Sequence, residues 1–95
     1  MLNEGVFLDL ASFAEADLDL SALRAVLPRW QMFAATSPDQ RRERIHGAGV
    51  VVVNKVVLDE SVLSSAPELK LVCITATGTN NIDLQAAARL GIVVS

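Results

Sequence analysis

The chain has 95 residues, of which 52% are hydrophobic and 20% charged, and its formal net charge is -3. This length allows one domain, residues 1–95, and the composition excludes a disordered chain. The acidic balance argues against a nucleic-acid partner, because phosphate binding needs a basic surface. The single cysteine excludes an internal disulfide.

The N-terminal residues carry no targeting pattern. Glu4 and Asp9 fall within the first ten positions, and no basic region precedes an apolar run. No apolar run approaches the length needed to cross a membrane. We therefore expect a cytoplasmic protein without membrane or nucleic-acid partners.

The first half of the chain alternates between strand and helix patterns. Residues Val6–Leu10 predict a strand, and the next helix begins after Asp19, an N-cap residue, and ends at Pro28. A second strand is predicted at Trp30–Ala35. Ser37–Gln40 then forms a capping box with proline at the first position of a polar helix.

The second half continues the alternation. The β-branched run Val50–Val53 is typical of a central parallel strand, and Asp59 caps a short helix. A fourth strand is predicted at Leu69–Thr75. The last helix, from about Ile82 to Leu90, delivers a fifth strand at Ile92–Val94.

Five strands separated by four helices predict an α/β fold with right-handed crossovers. The expected architecture is a flavodoxin-like, doubly wound parallel sheet with strand order 2-1-3-4-5. In such sheets ligands bind beyond the carboxyl ends of the strands. The loops of interest are therefore Asp9–Phe13, Asn54–Lys55 and Thr77–Asn81.

Several chemically notable residues have ordinary structural interpretations. Arg41, Arg42 and Arg44 are interrupted by an acidic residue and are typical of a solvated helix face rather than a phosphate patch. His46 is interpreted as a helix C-terminal residue, because a metal site would need further clustered ligands. Cys73 is interpreted as a small buried hydrophobic residue.

The loop Thr77–Asn81 supports two interpretations. Its amide groups precede a helix, and Gly78 would let a ligand approach the backbone, which favours an anion site. Alternatively, Asn80 or Asn81 caps the helix and Gly78 turns the chain. Lys55 is likewise either a cation for a bound carboxylate or an ordinary exposed lysine.

Three functions of this topology can be compared. A phosphoacceptor receiver would need an aspartate where Asn54 stands. A flavin-binding module would use a loop similar to Thr75–Asn80, but after the first strand. A nicotinamide-binding turn cannot be formed by Gly47–Gly49, because these glycines precede a strand.

Four segments in order resemble one family: Val53–Asp59, Pro67–Leu71, Ala76–Asp83 and Ala86–Ser95. They are similar to the N-terminal substrate-binding domain of the D-isomer-specific 2-hydroxyacid dehydrogenases, above all to the glycerate dehydrogenase or hydroxypyruvate reductase branch. The similarity extends from about Gly49 to the C-terminus and is looser before it.

The resemblance implies a site for a small 2-oxo or 2-hydroxy acid. The positions matching Thr77 and Gly78 offer backbone amides to the substrate carboxylate. Asn54 and Lys55 border the same pocket, and Asn80 is carried over as a further contact. No metal is implied.

The resemblance also implies that substrate binding and catalysis are carried by different domains. Family members continue into a Rossmann domain that binds NAD or NADP and carries the catalytic residues. We therefore expect the 95-residue chain to be a substrate-binding domain fragment that binds no cofactor, has no catalytic residue and is inactive alone. The alternative is a stand-alone phosphate- or flavin-binding module, or a structural one.

The family comparison further predicts self-association. A sheet that ends at the fifth strand lacks the final covering helix, which leaves apolar surface and an open strand edge. We expect a homodimer, with exchange of the last helix and strand as one route.

Overall fold

A computed structural model describes residues 4–9, 29–74 and 81–94. The predicted helix between Asp19 and Pro28 lies outside these ranges. Within them the chain forms a five-stranded parallel sheet of order 2-1-3-4-5, which confirms the predicted topology. The strands are β1 (Glu4–Phe7), β2 (Arg29–Met32), β3 (Val50–Val53), β4 (Leu71–Ile74) and β5 (Val93–Val94).

The described helices are short. They are a 3-10 helix (Pro38–Gln40), α1 (Arg41–Ile45), α2 (Glu60–Ser64) and α3 (Leu84–Arg89). His46 is the C-cap of α1, as predicted. None of the helices in the described ranges is long and apolar enough to span a membrane.

Two aspartates begin the later helices. Asp59 accepts a hydrogen bond from the backbone N–H of Val62 at 3.1 Å, as its predicted cap role requires. Asp83 accepts one from the N–H of Ala86 at 3.0 Å and caps α3. The interpretation of Asn80 or Asn81 as the cap is therefore wrong, because the helix begins later than the apolar spacing indicated.

Strand β3 is central and fully enclosed. All four of its valines, Val50–Val53, are buried. It lies between β1 and β4, so its backbone is paired on both edges. This explains why a run with no polar alternation forms a strand here.

The two faces of the sheet are covered differently. The larger core joins one face to α1, α2 and α3 through apolar residues such as Ile45, Leu63 and Ala86. The opposite face carries a smaller cluster around Phe7 and Val52. Among the described elements, all of the helices therefore pack on one side.

Cys73 lies on the second face, in β4. It packs against the smaller cluster but is only half-buried. The prediction of a buried small hydrophobic residue is thus right in its surroundings and wrong in its degree of burial. The neighbouring edge strand, β5, has only two residues.

Candidate functional site

The carboxyl ends of β1, β3 and β4 lie side by side at one edge of the sheet. Three polar segments meet there: Asp9 after β1, residues 54–56 after β3, and Asn81, which follows the loop that leaves β4. We call residues 54–56 the rim loop. The structure thus places Asn54 and Lys55 at the edge where the sequence predicted them.

Asp9 holds the rim loop from one side. It is only 6% exposed. Its Oδ1 accepts a hydrogen bond from the backbone N–H of Asn54 at 2.9 Å. Its Oδ2 accepts bonds from the N–H groups of Lys55 at 2.6 Å and Val56 at 3.3 Å. Such charge-assisted bonds compensate the carboxylate for its removal from water.

Asn81 holds the rim loop from the other side. Its side-chain amide donates to the carbonyl oxygen of Val56 at 2.9 Å and to that of Asn54 at 3.3 Å. The backbone carbonyl oxygen of Asn81 accepts a hydrogen bond from the N–H of Leu58 at 2.7 Å. The backbone N–H of Asp83 donates to the carbonyl oxygen of Leu58 at 3.1 Å. The loop is therefore tied through both its donors and its acceptors.

Lys55 is the exposed member of the rim loop. Its backbone N–H is occupied by Asp9, but its ammonium group makes no hydrogen bond or ion pair with any residue in the described ranges. A fixed backbone with an available cation at a ligand-binding edge can hold a small carboxylate.

Thr77, Gly78 and Asn80 lie outside the described residues. The chain leaves β4 at Ile74, which is paired with Val53, and re-enters the described structure at Asn81. The two described ends of the segment that carries these three residues therefore lie beside the rim loop. Their contact with a ligand stays a prediction.

Asp9 and Asn81 are the residues that sequence reasoning missed. Asp9 was noted only as a member of a candidate loop, although an acidic residue that interrupts the apolar run of VFLDL is a signal for a specific partner. For Asn81 the sequence offers a helix cap as one of two interpretations, since capping is a common local role of asparagine.

The structure gives each of the three clustered arginines a partner within the protein, and Arg42 donates to the hydroxyl oxygen of Ser61. Arg41 donates to the carbonyl oxygens of Pro38 at 3.1 Å and Val57 at 2.6 Å. Arg44 donates to the carbonyl of Ala35 at 2.7 Å. All three guanidinium groups are thus engaged within the protein.

A separate cavity lies between β2 and α1. It has a volume of about 430 Å³ and is lined by Gln31, Phe33, Gln40, Glu43 and Arg44. The guanidinium carbon of Arg44 lies 3.8 Å from the centre of the Phe33 ring. No rim-loop residue lines this cavity, so it is distinct from the candidate site.

Neither a metal centre nor a reactive thiol is found in the described part of the chain. No group of three His, Cys, Asp or Glu residues there has a metal-binding arrangement. Burial raises the pKa of the Cys73 thiol. A raised pKa lowers the thiolate fraction, which disfavours a nucleophilic role.

Residues 11–95 match the family model of the D-isomer specific 2-hydroxyacid dehydrogenases, catalytic domain. The chain belongs to this family. The match confirms the resemblance read from the four sequence segments and extends it toward the N-terminus.

Two relatives of this chain are informative. A Haemophilus influenzae protein assigned as a 2-hydroxyacid dehydrogenase is 48% identical over 65 residues, which are 68% of this chain and 21% of that protein. The glycerate dehydrogenase of Methylorubrum extorquens is 34% identical over 99% of this chain and 29% of its own length. The chain thus spans less than a third of either relative.

A solved structure shares the fold of this family member. The NAD⁺-bound 3-phosphoglycerate dehydrogenase of Entamoeba histolytica superposes with a TM-score of 0.79 at 24% identity. The superposition covers 99% of this chain and 32% of that one.

The described residues do not fit a nicotinamide cofactor. Gly47 and Gly49 are the only closely spaced glycines there, and they precede β3. The N–H of Gly49 donates to the carbonyl of Glu4 at the start of β1, at the sheet edge opposite the rim loop. A dinucleotide-binding turn must instead follow a strand, so no step is assigned to NAD or NADP.

Proposed function

We propose that this chain is the substrate-binding domain of an NAD(P)-dependent D-2-hydroxyacid dehydrogenase of the glycerate dehydrogenase or hydroxypyruvate reductase type. It holds the carboxylate of a small 2-oxo or 2-hydroxy acid at the rim loop. The cofactor and the catalytic residues belong to parts of a longer enzyme outside these 95 residues, and the chain alone is inactive.

The observation that carries the proposal is the rim loop. Its backbone is fixed by Asp9 and Asn81, while the ammonium group of Lys55 is left for an external anion. A lysine provides a charge-assisted hydrogen bond to a carboxylate without requiring a bidentate geometry. The 34% sequence identity to a glycerate dehydrogenase, over 99% of this chain, supports the substrate class.

Thr77, Gly78 and Asn80 complete the proposed site. They belong to the loop that ends at Asn81, next to the rim loop. Backbone amides near Gly78 would bind the carboxylate oxygens not held by Lys55. Asn54 borders the same pocket.

A titration followed by amide NMR shifts tests this function. Hydroxypyruvate should shift the amides of Asn54, Lys55, Gly78 and Asn81 with saturation, with a Kd on the order of 1 mM, which corresponds to about 4 kcal/mol of binding free energy. Inorganic phosphate is the control and should leave them unchanged.

Two outcomes would contradict the proposal. Equal shifts with phosphate, or binding of FMN by the same amides, would favour the alternative of a phosphate- or flavin-binding module. An absence of shifts with hydroxypyruvate at tens of millimolar, which is far above the expected Kd, would favour a structural role.

We also infer a homodimer. Val93 is 62% exposed and is paired in register with Leu71, so both side chains lie on the sheet face that carries half-buried Cys73. This strip is apolar and lies on the face opposite the described helices. A second copy of the chain would bury it.

Light scattering at micromolar concentration tests the homodimer. The unchanged protein should have twice the monomer mass, and Val93→Lys should reduce it to the monomer. Leu84→Lys, which changes an exposed leucine on α3, is the control. A monomer mass for the unchanged protein contradicts the inference, and a dimer that survives Val93→Lys points to exchange of α3 and β5.

A further inference from the structure

Asp9 is the one buried charged side chain in the described ranges. It is placed by β1, at the carboxyl end of the strand, where the described topology gathers the site. A charge withdrawn from water is retained only where specific partners compensate it. Its partners include three consecutive backbone N–H groups of the rim loop.

Consecutive N–H groups that converge on one point form a cradle for an anion. In this protein the cradle is filled by the protein's own carboxylate. The amides of Asn54, Lys55 and Val56 are therefore not available to a substrate. What the rim loop offers a ligand is the side chain of Lys55, in a position set by Asp9.

We propose that Asp9 is a positioning residue for substrate binding. It does not touch the acid but holds the rim loop in the shape that brings Lys55 to the substrate carboxylate. Asn81 assists from the carbonyl side of the same loop. This inference rests on the proposed function. It names Asp9 as the residue that controls the affinity of the site for the acid.

A merely stabilising role for Asp9 predicts a different result. If Asp9 only supported the fold, its loss would lower the unfolding midpoint while the contribution of Lys55 to binding stayed the same. If Asp9 positions Lys55, the two substitutions share one effect and do not add. The energetic coupling between the two residues separates the roles.

The experiment measures the Kd for hydroxypyruvate by NMR titration of the 95-residue chain and four variants. Asp9→Asn and Lys55→Gln should each weaken binding about tenfold, and the double variant about tenfold rather than a hundredfold. Asp39→Asn changes an exposed aspartate of the 3-10 helix. It is the matched control and should bind as tightly as the unchanged protein.

Two further measurements guard against misfolding. The amide shifts of Val50–Val53 must be retained in Asp9→Asn, because β3 is the centre of the sheet. If they are lost, Asn81→Ala replaces it in the cycle, since it loosens the same loop through its carbonyl groups. Asp9→Glu, which keeps the carboxylate, should recover part of the affinity.

The outcomes separate the two proposals. Additive losses, or an unchanged Kd in a folded Asp9→Asn protein, overturn the role of Asp9 and leave the proposed function standing. Failure of the unchanged protein to bind hydroxypyruvate overturns the proposed function and the role of Asp9 with it. A loss of affinity that Asp9→Asn and Lys55→Gln share, and that Asp39→Asn does not show, supports both the proposed function and the role of Asp9.

Discussion

The side-chain amide of Asn81 donates a hydrogen bond to the carbonyl oxygen of Val56 at 2.9 Å, across the mouth of the candidate site. Both partners of this amide group are carbonyl oxygens, since the second bond reaches Asn54. Only a donor can satisfy them. Position 81 therefore requires an amide and not a carboxylate, although the two side chains have nearly the same shape.

This requirement predicts an order of stability among variants at position 81. Asn81→Ala removes two hydrogen bonds and should lower the free energy of unfolding by about 1–3 kcal/mol. Asn81→Asp should lower it further, because a carboxylate would face two carbonyl oxygens. Urea unfolding measures the difference, with Gln85→Ala on the exposed side of α3 as the control.

The control should stay within about 0.5 kcal/mol of the unchanged protein. An Asn81→Asp variant as stable as Asn81→Ala would mean that the amide is not the donor to the rim loop.

The proposed carboxylate site predicts a charge-specific effect at Lys55. Lys55→Gln should weaken hydroxypyruvate binding and reduce its dependence on salt, because an exposed charge pair is screened by ions. Lys70→Gln is the matched control, since Lys70 is also exposed but lies before β4, at the other end of the sheet.

Binding titrations at low and high salt compare the two variants. Equal losses in Lys55→Gln and Lys70→Gln would indicate a general attraction of the acid by positive charge, and would count against a site at the rim loop.

The sheet could be predicted because its signals are local. Four consecutive valines at 50–53 form a strand buried on both faces, and Asp59 is followed directly by the helix that it caps. The alternation of elements and the handedness of crossovers then predict a doubly wound sheet, of which 2-1-3-4-5 is a common strand order. Each step uses neighbours in sequence.

The hydrogen bonds that fix the rim loop could not be predicted in the same way. Asp9 and the N–H of Asn54 are separated by 45 positions, so no local pattern joins them. Of the two interpretations open for the loop that includes Asn81, the cap is excluded because Asp83, two residues later, caps the helix. The residues that hold the rim loop in place therefore could not be named from local patterns.

The pairing of Gly5 with Trp30 predicts that a side chain at position 5 would disrupt the packing of the indole. The two residues are opposite each other in the β1–β2 register, and a Cβ atom on Gly5 would come within 2.5 Å of Cε3 of the indole. Gly5→Ala should push the ring from its place beside Phe7 and cost about 1–3 kcal/mol of unfolding free energy. Trp30 is the single tryptophan, so its fluorescence reports the displacement.

Gly91→Ala is the control for this substitution. Gly91 has a φ of +73° but open space around its Cα. Alanine there should cost about 1 kcal/mol through backbone strain without shifting the emission of Trp30. An unshifted spectrum for Gly5→Ala would contradict the close packing of the indole on β1.

The half-buried thiol of Cys73 predicts a pH dependence. Burial raises its pKa, because the folded protein disfavours the thiolate. The folded state then keeps this proton to a higher pH than the unfolded state. The resulting stability is fully present below the unfolded pKa and is lost as the pH rises through the raised folded value.

Iodoacetamide labelling of Cys73 across the alkaline range tests this dependence. The labelling rate in the folded protein should keep rising at pH values where the urea-unfolded chain has reached its plateau, because only the thiolate reacts. Cys73→Ala should remove the corresponding part of the alkaline loss in stability, and the difference between the two proteins isolates the thiol from other groups that titrate there. Coincident labelling profiles for folded and unfolded chains would show that the sheet face around Cys73 is open to water.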